Sequence, residues 1–224
     1  MPYGRAMSSR PAAGGGRWVE VDPGRVARWV EGFAGRHGPP TVTTEAYGLL
    51  LAAPDGATAE LHAPPGAPAA ADVPAFVAGA TAPRRLGLLL ARKGGVAVGI
   101  AEGADLVVSK VDTRYVQGRT AAGGWSQQRF ARRRDNQTKA ALGDAAELAV
   151  RLLMPQVTTL AALVCGGDRR AVDTVLADRR LAPLATLRAD RLLDVPEPRH
   201  AVLVGAIAAA RAVHVLVREP APPR

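Results

Sequence analysis

Two short apolar runs, LGLLLA at 86–91 and VAVGIA at 96–101, flank Arg92-Lys93-Gly94-Gly95. A third, DLVVSKV at 105–111, comes after the turn Glu102-Gly103-Ala104. Apolar runs on either side of a Gly-Gly pair read as a β-hairpin, and the third run extends it by a strand. Downstream the pattern turns helical from about 128 to 153, where Ala141, Ala145, Leu148 and Leu152 share a face and Pro155 ends the helix. An apolar strand at 160–165 then meets Gly166-Gly167-Asp168, where a helix starts and runs to 176. Residues 184–187 read as a short strand, 199–210 as a helix and 213–217 as a last strand. Hairpins followed by alternating helix and strand imply an α/β fold, a mixed β-sheet flanked by helices on both faces.

The chain before this block reads differently. Asp22-Pro23 opens a helix as cap and first residue, and Val26, Trp29, Val30 and Phe33 fall on one face. Strands are expected at 41–53 and 58–62 around Pro54-Asp55-Gly56, and the Pro/Ala-rich stretch after them reads as a linker. The expected layout is a disordered tail at 1–18, a small N-terminal α+β extension at 19–80, a main domain at 81–218 and a frayed tail at 219–224.

A length of 224 residues with 48% hydrophobic side chains supports a sizeable core. Aromatics make up only 4%, so Ala, Val and Leu must build it. Lys plus Arg total 29 against 20 Asp plus Glu, a formal net charge of +9. The isoelectric point, near 10.9, favours a polyanionic partner, nucleic acid before membrane surface. Cys165 is the only cysteine, which rules out an intrachain disulfide and suits a reduced, cytoplasmic setting. No stretch approaches the ~20 apolar residues of a membrane span.

The charge concentrates at one place. Between Thr113 and Lys139 the third strand gives way to TRYVQGRTAAGGWSQQRFARRRDNQTK. Arg114, Arg119, Arg129, Arg132, Arg133, Arg134 and Lys139 surround this loop, and Asp135 is the only acid in it. A helix made merely soluble by charge would interleave acids at i,i+4. Their absence points to contacts with phosphates. The loop tip carries Gly118, Gly123 and Gly124, then Trp125, Ser126, Gln127 and Gln128. Ser126 reads equally as an ordinary helix cap, with Trp125 packing beside it. A glutamine amide does not titrate and cannot act as a general base. It can position a water, and a neighbouring backbone N–H can stabilise an oxyanion. That chemistry suits ester hydrolysis in a site where the substrate or RNA supplies the remaining groups.

The other familiar constellations are missing from the sequence. His37, His62, His200 and His214 show no metal-ligand spacing, and no metal or cofactor is expected. Ser109 and Ser126 have no local His/Asp pattern, and Cys165, ending an apolar strand, reads as a buried small residue. Gly94-Gly95 and Gly166-Gly167 form neither a dinucleotide nor a phosphate-loop fingerprint.

The segment GGWSQQRFARRRDNQTKAALGDAAELA is similar to the one after the Gly-Gly-Gln motif in the middle domain of archaeal and eukaryotic class-1 peptide release factors. Arg129-Phe130-Ala131-Arg132 matches the helix start of that family. With the upstream SKVDTRYVQGRT, the chain more closely resembles the actinobacterial group of Vms-like release factors, peptidyl-tRNA hydrolases with a relaxed Gly-x-x-Gln loop. Gly124-Trp125-Ser126-Gln127 fits that form. The likeness runs from about 85 to 217. It implies a release-factor middle-domain-like, RNase H-like fold and cleavage of the ester between nascent chain and tRNA in the peptidyl-transferase centre. It further implies that Gln127 places the attacking water, helped by the 2′-OH of the terminal adenosine and by ribosomal RNA.

Two departures from the release-factor pattern stand out. Trp125 and Ser126 separate the glycines from the glutamine, and counting back from Arg129 leaves the catalytic amide as either Gln127 or Gln128, of which Gln127 is preferred. Nothing resembles a codon-reading domain, so the expected setting is a stalled or split ribosome, in ribosome-associated quality control. The expected partners are the large ribosomal subunit, peptidyl-tRNA and ribosomal RNA, with no membrane and a monomeric chain. The rival expectation is a non-catalytic module that docks on ribosomes or structured RNA.

Overall fold

The structure is a computed structural model, and it describes residues 9–92, 95–113 and 143–220. The chain forms two compact units, 1–82 with 208–224 and 83–207.

The first unit is built on a six-stranded antiparallel sheet. Its strands are β1 (Ser9–Pro11), β2 (Arg17–Val21), β3 (Thr41–Glu45), β4 (Gly48–Ala52), β5 (Thr58–His62) and the last strand of the chain, Val213–Arg218, in the order β1-β2-last-β5-β4-β3. Helix α1 (Val26–His37) comes after the Asp22 cap, whose carboxylate accepts from the Gly24 N–H at 2.9 Å. Its Val26 and Phe33 are fully buried against Val19, Leu49, Leu61, Val213 and Val215. A second helix, α2 (Val73–Thr81), is capped by Asp72 and buries Phe76 and Ala80 in the same core.

Four expectations for this region need correction. Part of the expected tail is ordered, since β1 pairs with β2. The stretch 41–53 is two strands, turning at Ala46-Tyr47, with Gly48 at φ +143° where a Cβ would lie 2.3 Å from the Leu61 carbonyl oxygen. The expected linker contains α2, because Asp72 and Pro74 start a helix that buries Phe76 and Ala80. The last strand, expected in the main domain, pairs with β2 and β5 in the first unit. Alternating Val213, Val215 and Val217 match the buried parity of that sheet.

The second unit is the mixed sheet. Its strands are β6 (Arg85–Arg92), β7 (Gly95–Glu102), β8 (Asp105–Thr113), β9 (Ala162–Gly167) and β10 (Arg188–Leu193), in the order β10-β9-β6-β7-β8. β6, β9 and β10 run parallel, while β7 and β8 run antiparallel to their neighbours. On one face lie α3 (143–153), α4 (Arg169–Leu176) and α5 (Ala182–Ala185), which bury Ala145, Ala149, Leu153, Val172, Val175 and Leu184 against Leu89, Val98 and Leu163. On the other face Leu203 of α6 (His200–Arg211) sits 3.0 Å from where a Cβ on Gly99 would be. The sheet is thus covered by helices on both faces, as its apolar runs require. The expected strand at 184–187 is instead α5 and the turn after it, and the strand comes at 188–193. No helix among the described residues is long and apolar enough to cross a membrane. The last strand of the chain is β11.

Candidate functional site

Gly123, Gly124, Trp125, Ser126, Gln127, Gln128, Arg114, Arg119, Arg129, Arg132, Arg133, Arg134 and Lys139 all lie outside the described residues. The structure does define the two ends from which that segment departs and to which it returns.

The departure point is the end of β8. This strand forms one edge of the mixed sheet, with Asp112 opposite Val96 and Thr113 opposite Gly95. A β-bulge interrupts it: Val108 faces Ile100 and Leu106 faces Ala101, so Val107 is the extra residue. Val107 and Val108 are consequently both exposed, at 46% and 42%. A bulge bends its strand and re-aims the residues beyond it, and this one lies within the strand that carries the loop.

The chain is described again from 143, within α3. Small residues, Ala145, Ala146 and Ala149, let this helix approach the sheet closely, while Leu148 and Leu153 fill the remaining space. Gly87 on β6 receives it: a Cβ there would lie 3.1 to 3.6 Å from the side chains of Leu160, Leu163 and Leu153. Pro155 closes α3, and the turn Met154–Thr159 leads into β9.

Between the two ends is a cleft of about 510 Å³, lined by Lys110, Val111 and Asp112 from β8 and by Asp144, Glu147, Leu148 and Arg151 from α3. Glu147 is held by Arg180 at 2.8 Å. No group of three or more metal-ligating side chains occurs among the described residues, so these carboxylates do not make a metal centre. Cys165 is buried in β9, and burial pushes its thiol up to about 11, a poor nucleophile.

Two other features emerge only in three dimensions. His62 and His214, 152 residues apart in the chain, are cross-strand partners on β5 and β11. His62 stacks on Tyr47 with ring centroids 4.4 Å apart and meets Trp18 edge-on at 4.9 Å, while its Nε2 lies 3.2 Å from Glu60. Burial raises the Glu60 carboxyl, but hydrogen bonds from Arg218 and His62 outweigh it and hold the group below its usual range. Only sheet pairing brings these residues together, so no spacing in the sequence signals them. The second feature is the turn at Gly166-Gly167-Asp168, which proves to lie at the same end of the sheet as Thr113. Gly167 pairs with Ala91, Arg92 with Gly95, and Gly95 with Thr113.

Comparison with known proteins gives the family. One described as the Actinobacteria/chloroflexi VLRF1 release factor matches residues 84–216, a stretch that takes in the mixed sheet and the whole loop. No curated protein matches. Among solved structures the chain is similar to the archaeal translation termination factor aRF1, at 18% identity and a TM-score of 0.41, over 57% of this chain and 36% of that one. It is also similar to a structure described only as an archaeal protein, at 16% identity and a TM-score of 0.37, over 72% of this chain and 52% of that one. The chain therefore spans about a third of the first structure and about half of the second. On the family match, which covers more than half of its length, the chain belongs to the Actinobacteria/chloroflexi VLRF1 release factor family.

Proposed function

We propose that this release factor is a peptidyl-tRNA hydrolase that frees nascent chains from stalled or split ribosomes. The observation that carries the reading is the family match across 84–216, which encloses Gly124-Trp125-Ser126-Gln127 and its flanking arginines. The two ends of the described structure agree with it. An edge strand bent by a bulge precedes the glycine-bearing segment in the chain, and a helix packed on the sheet through alanines follows it.

In this reading Gln127 orients a water towards the ester carbonyl between nascent chain and tRNA, and Gln128 is the alternative amide. Water adds to the carbonyl carbon, the ester C–O bond breaks, and the 3′-oxygen of the tRNA leaves with a proton. The amide contributes position rather than proton transfer, because it does not titrate. Ribosomal RNA and the adenosine 2′-OH supply the remaining polar groups. Arg114, Arg119, Arg129, Arg132, Arg133, Arg134 and Lys139 contact phosphates, and Trp125 and Ser126 support the loop. The site of action is the large subunit, in the cytoplasm.

The test is release of labelled nascent chain from purified large subunits carrying peptidyl-tRNA, by wild type beside Gln127→Ala and Gln128→Ala. Release by wild type and its loss in one variant, with subunit binding retained, is the expected result and identifies the catalytic amide. Binding without release by all three supports the second reading, a docking module, which the insertion of Trp125-Ser126 before the glutamine favours.

A further inference from the structure

The tripeptide Asp-Arg-Arg occurs at 168–170 and again at 178–180. Both copies start a helical turn in the same way. The aspartate carboxylate accepts from the backbone N–H two residues on, at 2.9 Å in each case. Their arginines differ. Arg180 folds back on Asp178, at 2.7 and 3.0 Å, and reaches Glu147 at 2.8 Å. Arg169 and Arg170 are exposed and make no side-chain ion pair or hydrogen bond among the described residues. They stand on the first turn of α4, where the positive end of the helix disfavours cations. No ion pair among the described residues accounts for two arginines there, and a break with local preference of this kind is expected at a functional surface.

Their place in the sheet says which surface. Asp168 donates its N–H to the Ala91 carbonyl at 2.8 Å. A Cβ on Gly167 would lie 2.4 Å from that oxygen and 3.0 Å from Cγ of Arg92, so Arg92 passes directly beside the turn. Arg92 then pairs with Gly95 and Gly95 with Thr113, the last described residue before the arginine-rich segment. β9 is three strand spacings from β8, about 14 Å. Asp112 lies at this end on the outer strand β8 and Asp194 follows the other outer strand, β10, while Arg92 at the end of β6 and Arg169 and Arg170 at the start of α4 lie between them.

We propose that Arg92, Arg169 and Arg170 form a docking surface for the RNA sugar-phosphate backbone. That the RNA is ribosomal rests on the function proposed above; the contact with phosphate does not.

The experiment uses the full chain and a fluorescent 30-nucleotide RNA hairpin, with the dissociation constant measured across a salt series. Arg169→Ala with Arg170→Ala is compared with Arg25→Ala with Arg28→Ala, which removes the same charge from exposed positions at and beside the start of α1. Loss of two phosphate contacts lowers the slope of log K against log salt by about 1.4 to 1.8. The expected result is that drop in the first pair, little change in the second, and recovery with Arg169→Lys and Arg170→Lys. Unchanged thermal melting shows that the fold is intact. Equal slopes in the two pairs, or wild type that does not bind the hairpin, overturns the proposal. So does a variant that binds RNA normally but loses affinity for polyglutamate, which would mark an acidic protein as the partner. Because the probe is bare RNA, the outcome is independent of whether the chain releases nascent peptide.

Discussion

The two Asp-Arg-Arg turns share sequence and local geometry, yet one uses its cation for structure and the other leaves it available. At 178–180 the 3-10 turn Arg179–Leu181 is followed by α5, and Leu181 and Leu184 sink into the core below it. Glu147 on α3 then comes within 2.8 Å of Arg180, and the guanidinium closes a small network with two carboxylates. At 168–170 the turn sits at the end of a central strand, and its arginine side chains make no ion pair among the described residues. An identical tripeptide acquires its role from the groups that tertiary packing places opposite it.

The largest effect is expected in the core beneath the second turn. Leu181→Ala removes a fully buried anchor there and is expected to cost about 3 to 4 kcal/mol in a denaturant titration. A loss under about 1 kcal/mol would mean that the turn does not depend on that anchor.

The first turn is held by backbone conformation instead. Gly167 has φ +95°, and a Cβ would meet the Ala91 carbonyl oxygen at 2.4 Å. Gly167→Ala should therefore cost about 2 kcal/mol or more, whereas Gly143→Ala, with nothing within 4 Å, should change little. Equal melting temperatures for the two variants would contradict this.

The smallest effect isolates the electrostatic difference between the turns. Hydrogen bonds from the Arg180 side chain and backbone hold Asp178 at about 2, below its usual 3.8. A carboxylate depressed in the folded state stabilises the fold above its unfolded pKa, and the contribution is lost as pH falls through the folded value. Here that window runs from about 4 down to about 2. In Arg180→Ala the carboxyl resonance of Asp178 should titrate closer to 3.8; an unmoved midpoint would assign the depression to the backbone alone.

Much of this architecture is legible in local pattern. The β6–β7 hairpin follows from two apolar runs around Gly-Gly, and α1 from Val26, Trp29, Val30 and Phe33. Asp168 is recognisable as a helix start, and it caps α4 as expected. The segments that mislead are those whose local signal is weak or borrowed. α2 lies in a stretch dominated by Pro and Ala, and two buried residues, Phe76 and Ala80, are its anchors. β10, RADRLL, alternates poorly and is a strand because β9 offers it a parallel edge. Leu184 and Leu187 are three residues apart, a spacing that fits a helical turn and not the alternation of a strand.

For the candidate site, the one-dimensional chain already specifies the chemistry on offer: a glycine-bearing segment, a neutral amide and a cluster of arginines with a single acid. Chemical identity and short-range periodicity are properties of adjacent residues, and they need no folding to be read. Only in three dimensions does β11 complete the first sheet, does His62 face His214, and do Arg92, Gly167 and Thr113 share one end of the second. Strand pairing joins backbone groups that carry no sequence label, so register is settled by which apolar faces can be buried together.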